Sequence, residues 1–362
     1  MAARFPRFTA AAVQAAPVWM DTRATVERAC ALIGEAAAKG ARLVAFPEVY
    51  VPAYPYWNWL MTPFEGSRFF RELYKQSILV PGEETQRLCE AARLGRCHVV
   101  IGVNERSPVS MGTIFNTNLV IGAGGELLGV HRKLVPTFAE KLTWGYGDGR
   151  SIRTYDTDVG RIGTLACGEN TNTLARFALL AQGEQVHIAN YPGFPFTSRY
   201  SMTEAIRIRA ASHAFEGKVY VVVASSVVTE EIVAAVCSTD EQRRQMRERP
   251  ASISVIYGPD GQPACEPLID AEGIVYAELD IEREIELKQF HDIVGHYNRF
   301  DVFSLHLNRR AIQPLSDETG AAAEALPAGA AGERPAHYPG GDGHEEDSQP
   351  VDRPARRARA RP

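Results

Sequence analysis

Three observations make this sequence an α/β protein with stacked layers of helix and sheet. Apolar runs of strand length alternate with longer amphipathic runs over most of the chain, the order expected when helices cover sheets. Hydrophobic residues make up 45% of the 362 residues and charged ones 23%, the balance of an ordinary soluble globular chain. The strands themselves are short and, at Val219 to Ala224, apolar on both faces, as strands are when covered on two sides.

The elements follow in order. Phe8 to Ala15 reads as a buried strand, and Asp21 to Lys39 as a helix capped by Asp21 and stopped by Gly40. Leu43 to Phe46 is a strand that runs straight into Pro47-Glu48, which sets a carboxylate just past a strand end, where α/β sheets form sites. Tyr50 to Gly66 is a loop dense in rings, Tyr54 and Trp57 among them, and broken by prolines. Helices are expected at Ser67 to Gln76 and Glu83 to Leu94, then strands at His98 to Val103 and Asn116 to Gly122. Gly124-Gly125 turns the chain into Leu127 to Arg132, a hairpin signal that ends in a basic cluster, His131-Arg132-Lys133.

Pro136 to Gly149 is glycine-rich and aperiodic, with Glu140 and Trp144 inside it, and loops of this kind often carry function. Its glycines are too irregular for a phosphate cradle, which argues against nucleotide binding. Ile152 to Tyr155 and Arg161 to Leu165 read as strands joined by the turn Asp158-Val159-Gly160. The second breaks into the small-residue corner Cys167-Gly168-Glu169-Asn170. Asn172 then caps an apolar helical run, Leu174 to Leu180, so Cys167 is expected near a helix N-terminus, where a thiolate is favoured.

Gln185 to Asn190 is a strand leading into a second aromatic loop, Tyr191 to Phe196, which holds Phe194. A helix at Met202 to Phe215, the strand at Val219, a polar helix around Glu241 to Arg249, and strands at Ala251 to Tyr257 and Gly273 to Leu279 complete the body. The domain is drawn over residues 1–310, with 282–310 as a ring-bearing interface segment; residues 311–362, rich in Ala, Gly, Pro and Arg, are expected to be a disordered tail.

Composition excludes several partners. A net charge of −5 gives no electrostatic footprint for nucleic acid, and no apolar run is long enough to span a bilayer. Six cysteines lie scattered without CxxC or metal-ligand spacing, and the N-terminus has no signal-peptide core, so the expectation is a reducing cytoplasm.

Glu48, Lys133, Glu140 and Cys167 each stand at the end of a predicted strand or in the loop after one. A thiol nucleophile needs a base, and an electrophile developing charge needs a cation. Singly, each residue has a plainer role: Cys167 in the core, Glu48 as a helix cap, Lys133 on a solvated basic edge, Glu140 paired with Lys141.

Together the runs Phe46-Pro47-Glu48, His131 to Thr137, Glu140 followed by Trp144-Gly145 and Gly147-Asp148-Gly149, and Cys167-Gly168-Glu169 resemble the motifs of the nitrilase superfamily of carbon-nitrogen hydrolases, and within it the nitrilase branch. Tyr54-Pro55-Tyr56-Trp57, Gln182 to His187 and Gly295-His296-Tyr297 support the resemblance, which covers roughly Phe8 to Asn308. Many nitrilases carry Trp directly after the nucleophile and His after the glutamate; this chain has Gly168 and Asn170 there.

The resemblance implies an α-β-β-α sandwich, paired between subunits into extended layers, with dimers assembling into spirals. It implies Cys167 as nucleophile, Glu48 as general base, Lys133 as the cation, Glu140 as an orienting carboxylate, and no metal or organic cofactor. The expected chemistry is hydrolysis of an organic nitrile, aliphatic or aryl-alkyl, to the acid and ammonia through a cysteine thioimidate. Tyr54, Trp57, Trp144, Glu169, Tyr191 and Phe194 are the candidate substrate-binding residues, their rings forming an apolar pocket. Alternatives are an amidase or carbamoylase of the same superfamily, a cyanide-converting enzyme, and, lowest, a catalytically silent scaffold.

Overall fold

The structure, a computed structural model, describes residues 5–312 and residue 315, and its compact body runs to Ile312. The tail expected beyond residue 310 lies almost wholly outside the described residues.

Two six-stranded sheets make up the centre. Strands β1 (Arg7–Gln14), β2 (Ala41–Ala45), β3 (His98–Arg106), β4 (Ile114–Ile121) and β5 (Leu127–Arg132) lie side by side in that order in the first. Strands β6 (Tyr155–Thr157), β7 (Gly160–Ala166), β8 (Val186–Tyr191), β9 (Tyr220–Ser225), β10 (Ile253–Tyr257) and β11 (Leu268–Ile269) make the second, and β12 (Gly273–Asp280) returns to pair antiparallel with β1. Each sheet has a parallel centre, β1-β2-β3 in one and β7-β8-β9 in the other, flanked by antiparallel strands.

Side-chain alternation along the strands builds the layers. Ala10 and Ala12 of β1, with Leu43, Val100 and Val120, face Ile162, Ile188, Val222 and Ala224 of the other sheet in one apolar cluster. Their alternates Ala11 and Val13 pack instead with Val26, Ala29 and Ile33 of helix α1 (Thr22–Ala38). The helices α2 (Trp57–Leu60), α3 (Pro63–Gln76) and α4 (Glu83–Gly95) follow in the first half, and α4 joins α1 over the first sheet. Over the second lie α5 (Thr173–Leu180), through Ala175 and Leu179 against Leu165, and α6 (Met202–Gly217), through Ile206 and Ala210 against Val221 and Val223. The result is the α-β-β-α order. Helices α7 (Glu230–Val236), α8 (Asp240–Met246) and α9 (Arg283–Phe290) complete the body.

Some boundaries differ from the sequence expectation. Helix α3 begins at Pro63, not Ser67, because Thr62 and Glu65 form a capping box ahead of it. The strand expected at Ile152 to Tyr155 instead starts at Tyr155, where pairing with Ile162 begins. A short helix, α2, interrupts the aromatic loop. Among the described residues no helix is long and apolar enough to cross a membrane.

Three strand ends carry the candidate reacting groups. Glu48 lies beyond β2, Lys133 directly after β5, and Cys167 directly after β7, so the two sheets must be held in register for these residues to meet. Asn118 of β4 provides that link: its amide donates to Thr164 Oγ1 on β7 at 2.8 Å and accepts from Asn190 Nδ2 on β8 at 2.6 Å.

Candidate active site

Each reacting side chain is placed by a break in regular structure. Glu48 leaves β2 on a turn whose next residue, Val49, has φ +40°, and the turn lies flat against Gly102 of β3. A Cβ at Gly102 would stand 2.3 Å from Val49 N and 2.5 Å from Pro47 O, so only glycine lets the carboxylate's peptide approach so closely. Lys133 is anchored by its own backbone: its N–H donates to Asn116 O, and its carbonyl accepts from Gly147 N, both at 2.8 Å. Cys167 has φ +48°, a left-handed corner between β7 and the 3-10 turn Cys167–Thr171. Such a corner in a non-glycine residue costs energy and persists because its surroundings hold it.

The four side chains meet in the interior. Lys133 Nζ donates to Glu48 Oε1 and to Glu140 Oε2, each at 2.7 Å, and all three groups are about 1% exposed. One oxygen each of Glu48 and Glu140 and the Cys167 sulfur lie within 4.8 Å of one another. Glu48 Oε1 also accepts from Asn116 Nδ2 at 2.7 Å, whereas Glu48 Oε2 is buried and has no hydrogen-bond partner among the described residues. That oxygen is the free proton acceptor of the cluster.

Glu140 is held more completely. Its Oε2 also accepts from Thr137 N at 2.7 Å, and its Oε1 accepts from the Tyr54 hydroxyl at 2.9 Å, which in turn receives the Trp59 indole N–H at 3.1 Å. With both oxygens engaged, Glu140 positions Lys133.

Electrostatics follow from burial and from one cation among two carboxylates. Burial opposes the Lys133 ammonium, but Glu140 and Glu48 outweigh it and hold its pKa well above the ordinary lysine range. Burial pushes the Glu48 carboxyl up to about 7; Lys133 pulls it back and Glu140 adds to it. Burial and the Glu48 charge push the Cys167 thiol well above the ordinary cysteine range, and Lys133 offsets only part of this. The expected thiolate is thereby corrected. Helix α5 begins six residues later, at Thr173, where Asn172 caps it, so its N-terminus does not face the sulfur directly.

The aromatic candidates divide. Tyr54 meets Trp144 edge-on at 5.7 Å, and Lys133 Nζ lies 5.7 Å above the Trp144 ring, whose N–H donates to Asn104 Oδ1 at 2.8 Å. These rings roof Lys133. Phe194 crosses Trp59 edge-on at 5.0 Å and, with Phe138, Phe196, Arg199 and Arg244, lines a cleft of about 420 Å³. Tyr191 is fully buried: its carbonyl accepts from Glu48 N at 3.3 Å, and its hydroxyl has no hydrogen-bond partner among the described residues.

Two expectations are relocated. Trp57 does not line that cleft: it stacks on Phe69 of α3 at 5.4 Å and abuts Gly66, and Trp59 stands in the wall instead. Glu169 is committed to the nucleophile corner, accepting from Ala166 N and His131 Nε2 with one oxygen and from Leu134 N with the other. His131 and these donors hold its carboxyl below the usual range against burial.

Sequence inspection missed Asn104, Asn116 and Asn118. The signal was present as asparagines inside apolar strands, and Asn116 and Asn118, two apart, necessarily share one face of β4.

The carbon-nitrogen hydrolase family signature matches residues 9–289. The chain belongs to this family, within the nitrilase superfamily. It is 40% identical over 315 residues to an aliphatic nitrilase of Rhodococcus rhodochrous, covering 85% of each chain, and 36% identical to a bromoxynil-specific nitrilase of Klebsiella pneumoniae subsp. ozaenae, covering 86% of this chain and 89% of that one. Among solved structures, a carbon-nitrogen hydrolase of Helicobacter pylori superposes with TM-score 0.66 at 20% identity, covering 82% of this chain and 97% of that one. The fold of this hydrolase is therefore that of its family.

With the thiol raised, Cys167 is expected to be protonated at neutral pH. Iodoacetamide labelling at pH 7, followed by peptide mass, should be roughly tenfold or more slower than for an ordinary free thiol, because the thiolate fraction falls about tenfold each time the thiol pKa rises by one. Lys133→Met removes the cation that lowers the thiol and should push the labelling profile further alkaline. Labelling at the rate of the unfolded chain would contradict this account.

Proposed function

We propose that this hydrolase is a nitrilase that converts an organic nitrile and two waters to the carboxylic acid and ammonia. The observation that carries the reading is the unpartnered Oε2 of Glu48 in the cluster that holds the Cys167 thiol and the Lys133 ammonium. Its curated relatives, nitrilases at 33–40% identity over most of the chain, support the substrate class.

A nitrile has no leaving group until nitrogen is protonated, so addition comes first. Glu48 Oε2 takes the thiol proton as sulfur attacks the nitrile carbon; the C–S bond forms, one C–N π bond breaks, and Glu48 passes that proton to nitrogen to give a neutral thioimidate and a free carboxylate. Lys133 stabilises the charge developing on nitrogen, inside a dry site where a fixed ammonium acts strongly. Glu48 then removes a proton from water as its oxygen adds to the thioimidate carbon. The tetrahedral adduct expels ammonia and leaves a thioester. A second water, activated by the same carboxylate, adds and releases the acid, and the proton returns to sulfur. Should the adduct expel the thiol before ammonia, the product is the amide, so a minor amide yield belongs to the same mechanism.

The assay is ammonia and acid release from a panel of aliphatic, aryl-alkyl and aryl nitriles, cyanide and the matching amides, with Cys167→Ala as the blank. We expect nitrile turnover that the variant loses; turnover of amides alone would make it an amidase. The kcat/KM profile should fall on the acid side with a midpoint near pH 7, because below it Glu48 holds its own proton and cannot take that of the thiol. Glu48→Gln should lose roughly 100-fold or more of kcat/KM.

The cleft lined by Trp59, Phe138, Phe194 and Phe196 is proposed to take the nitrile's side chain. Phe194→Ala and Trp59→Ala should then lower kcat/KM for aryl-alkyl nitriles relative to small aliphatic ones by roughly tenfold or more. An unchanged ratio across the panel would place the side chain elsewhere.

We also propose self-association through α5 and residues 298–309, where Leu174, Phe300, Val302 and Phe303 are at least half exposed and line one apolar groove with Phe177. Sedimentation velocity at micromolar concentration should find a dimer or larger species. A monomer would overturn this.

A further inference from the structure

Behind the nucleophile corner lies a buried polar chain that the hydrolytic steps do not use. Asn170 Nδ2 donates to Leu165 O at 3.1 Å and to Cys167 O at 3.0 Å, spanning the left-handed corner from inside. Asn170 Oδ1 meets His187 Nε2 at 2.7 Å; His187 Nδ1 meets Glu184 Oε1 at 2.7 Å; and Glu184 Oε2 meets His213 Nε2 at 2.9 Å. All four side chains are at most 3% exposed.

The pattern fixes who donates. Both contacts of Asn170 Nδ2 are carbonyls, so the amide cannot be flipped, and Oδ1 is the atom that accepts from His187. Glu184 stands as a carboxylate: burial opposes its charge, but His187 and His213 prevail and bring it down to about 2. Asn170 Oδ1 can only accept, so the Nε2 of His187 that faces it carries a hydrogen. His213, whose ring lies 4.4 Å from that of His187, is pushed down to about 4 by burial and by His187, and stays neutral. The three side chains, whose ligand-type atoms lie within 4.8 Å of one another, thus bond to one another.

The fold makes room for this chain at a specific residue. Gly163 of β7 lies opposite His187 in the sheet register, and a Cβ there would stand 1.9 Å from Glu184 Oε1. Arg176 of α5 and Glu284 of α9 are the other ionisable groups near the cluster.

We propose that His187, fixed by Glu184 and His213, is a positioning residue for catalysis: its Nε2–H orients Asn170, and Asn170 holds the Cys167 peptide in the left-handed conformation that presents sulfur to Glu48. The proposal rests on Cys167 as the nucleophile. It implies that loss of the His187 donor loosens the corner, lowers kcat and slows attack by sulfur on any electrophile, while the substrate cleft and KM are left nearly unchanged.

The test uses the full chain. His187→Phe keeps ring volume but removes the Nε2–H, and should lower kcat roughly 10- to 100-fold, the scale of a misplaced reacting group, with KM within about twofold. Iodoacetamide labelling of Cys167 should slow in parallel, a readout that stays valid whichever carbon-nitrogen substrate the enzyme prefers. His187→Gln, whose amide can donate to Asn170, should recover much of both. Selective 15N labelling of histidine in the wild-type protein at neutral pH, with His187→Gln to assign the signal, should show a hydrogen on His187 Nε2. A folded His187→Phe protein with wild-type kcat and labelling, a His187→Gln protein no better than His187→Phe, or a His187 ring lacking the Nε2 hydrogen would each overturn the proposal.

Discussion

The buried ammonium of Lys133 is the constraint on which the site depends. Taking a cation and two carboxylates out of water costs several kcal/mol per ion, and mutual attraction offsets this only when geometry is close and the remaining lone pairs are filled. Here the geometry is close, with both Lys133 contacts at 2.7 Å, and the lone pairs are filled by Asn116, Thr137 N and Tyr54. Among the described residues, Glu48 Oε2 and Asn116 Oδ1 are left without a partner. The carboxylate oxygen left unsatisfied is also the one the proposed chemistry uses, which is where a functional site departs from full polar satisfaction.

That network can form only if two sheets agree in position. Glu48 and Lys133 arrive from one sheet and Cys167 from the other, and apolar packing by Ala10, Ala12, Ile188 and Val222 sets the spacing between sheets with little directional preference. Direction comes from hydrogen bonds. Asn118 ties β4 to Thr164 and Asn190, while Asn116, on the same face of the same strand, holds Glu48. One strand thus carries both the joint between the sheets and a ligand of the catalytic base.

Much of this was legible in the sequence, for identifiable reasons. The alternation of strands and helices is written in local periodicity, and Asp21 and Asn172 are caps whose side chains do accept from the helix N-termini they precede. Glu48, Lys133, Glu140 and Cys167 were legible because strand ends can be read locally and because their motifs are ordered. The partition of the rings was not. Trp57 and Trp59 are two residues apart in a short helix, and which of them faces the cleft depends on Gly66 and Phe69 of α3, a tertiary fact with no local mark. The thiol's protonation was not fully legible for a similar reason: proximity to a helix start is visible in a sequence, but complete burial is not.

That raised thiol fits the chemistry better than a resting thiolate would. A thiolate would add a negative charge beside Glu48 and Glu140 in a fully buried site, where Lys133 offsets only part of it. Ionisation of sulfur is therefore favourable only when its proton goes to Glu48, neutralising one carboxylate, and its electron pair goes to carbon as charge builds on a nitrogen near Lys133. In the proposed mechanism, proton transfer and attack are coupled by electrostatics, so the nucleophile is generated by the substrate that consumes it. A protonated, buried sulfur is also a poor target for oxidants and stray electrophiles, which react with thiolates. The same charge arrangement that slows the free thiol thus confines its reactivity to electrophiles that can place developing charge beside the lysine.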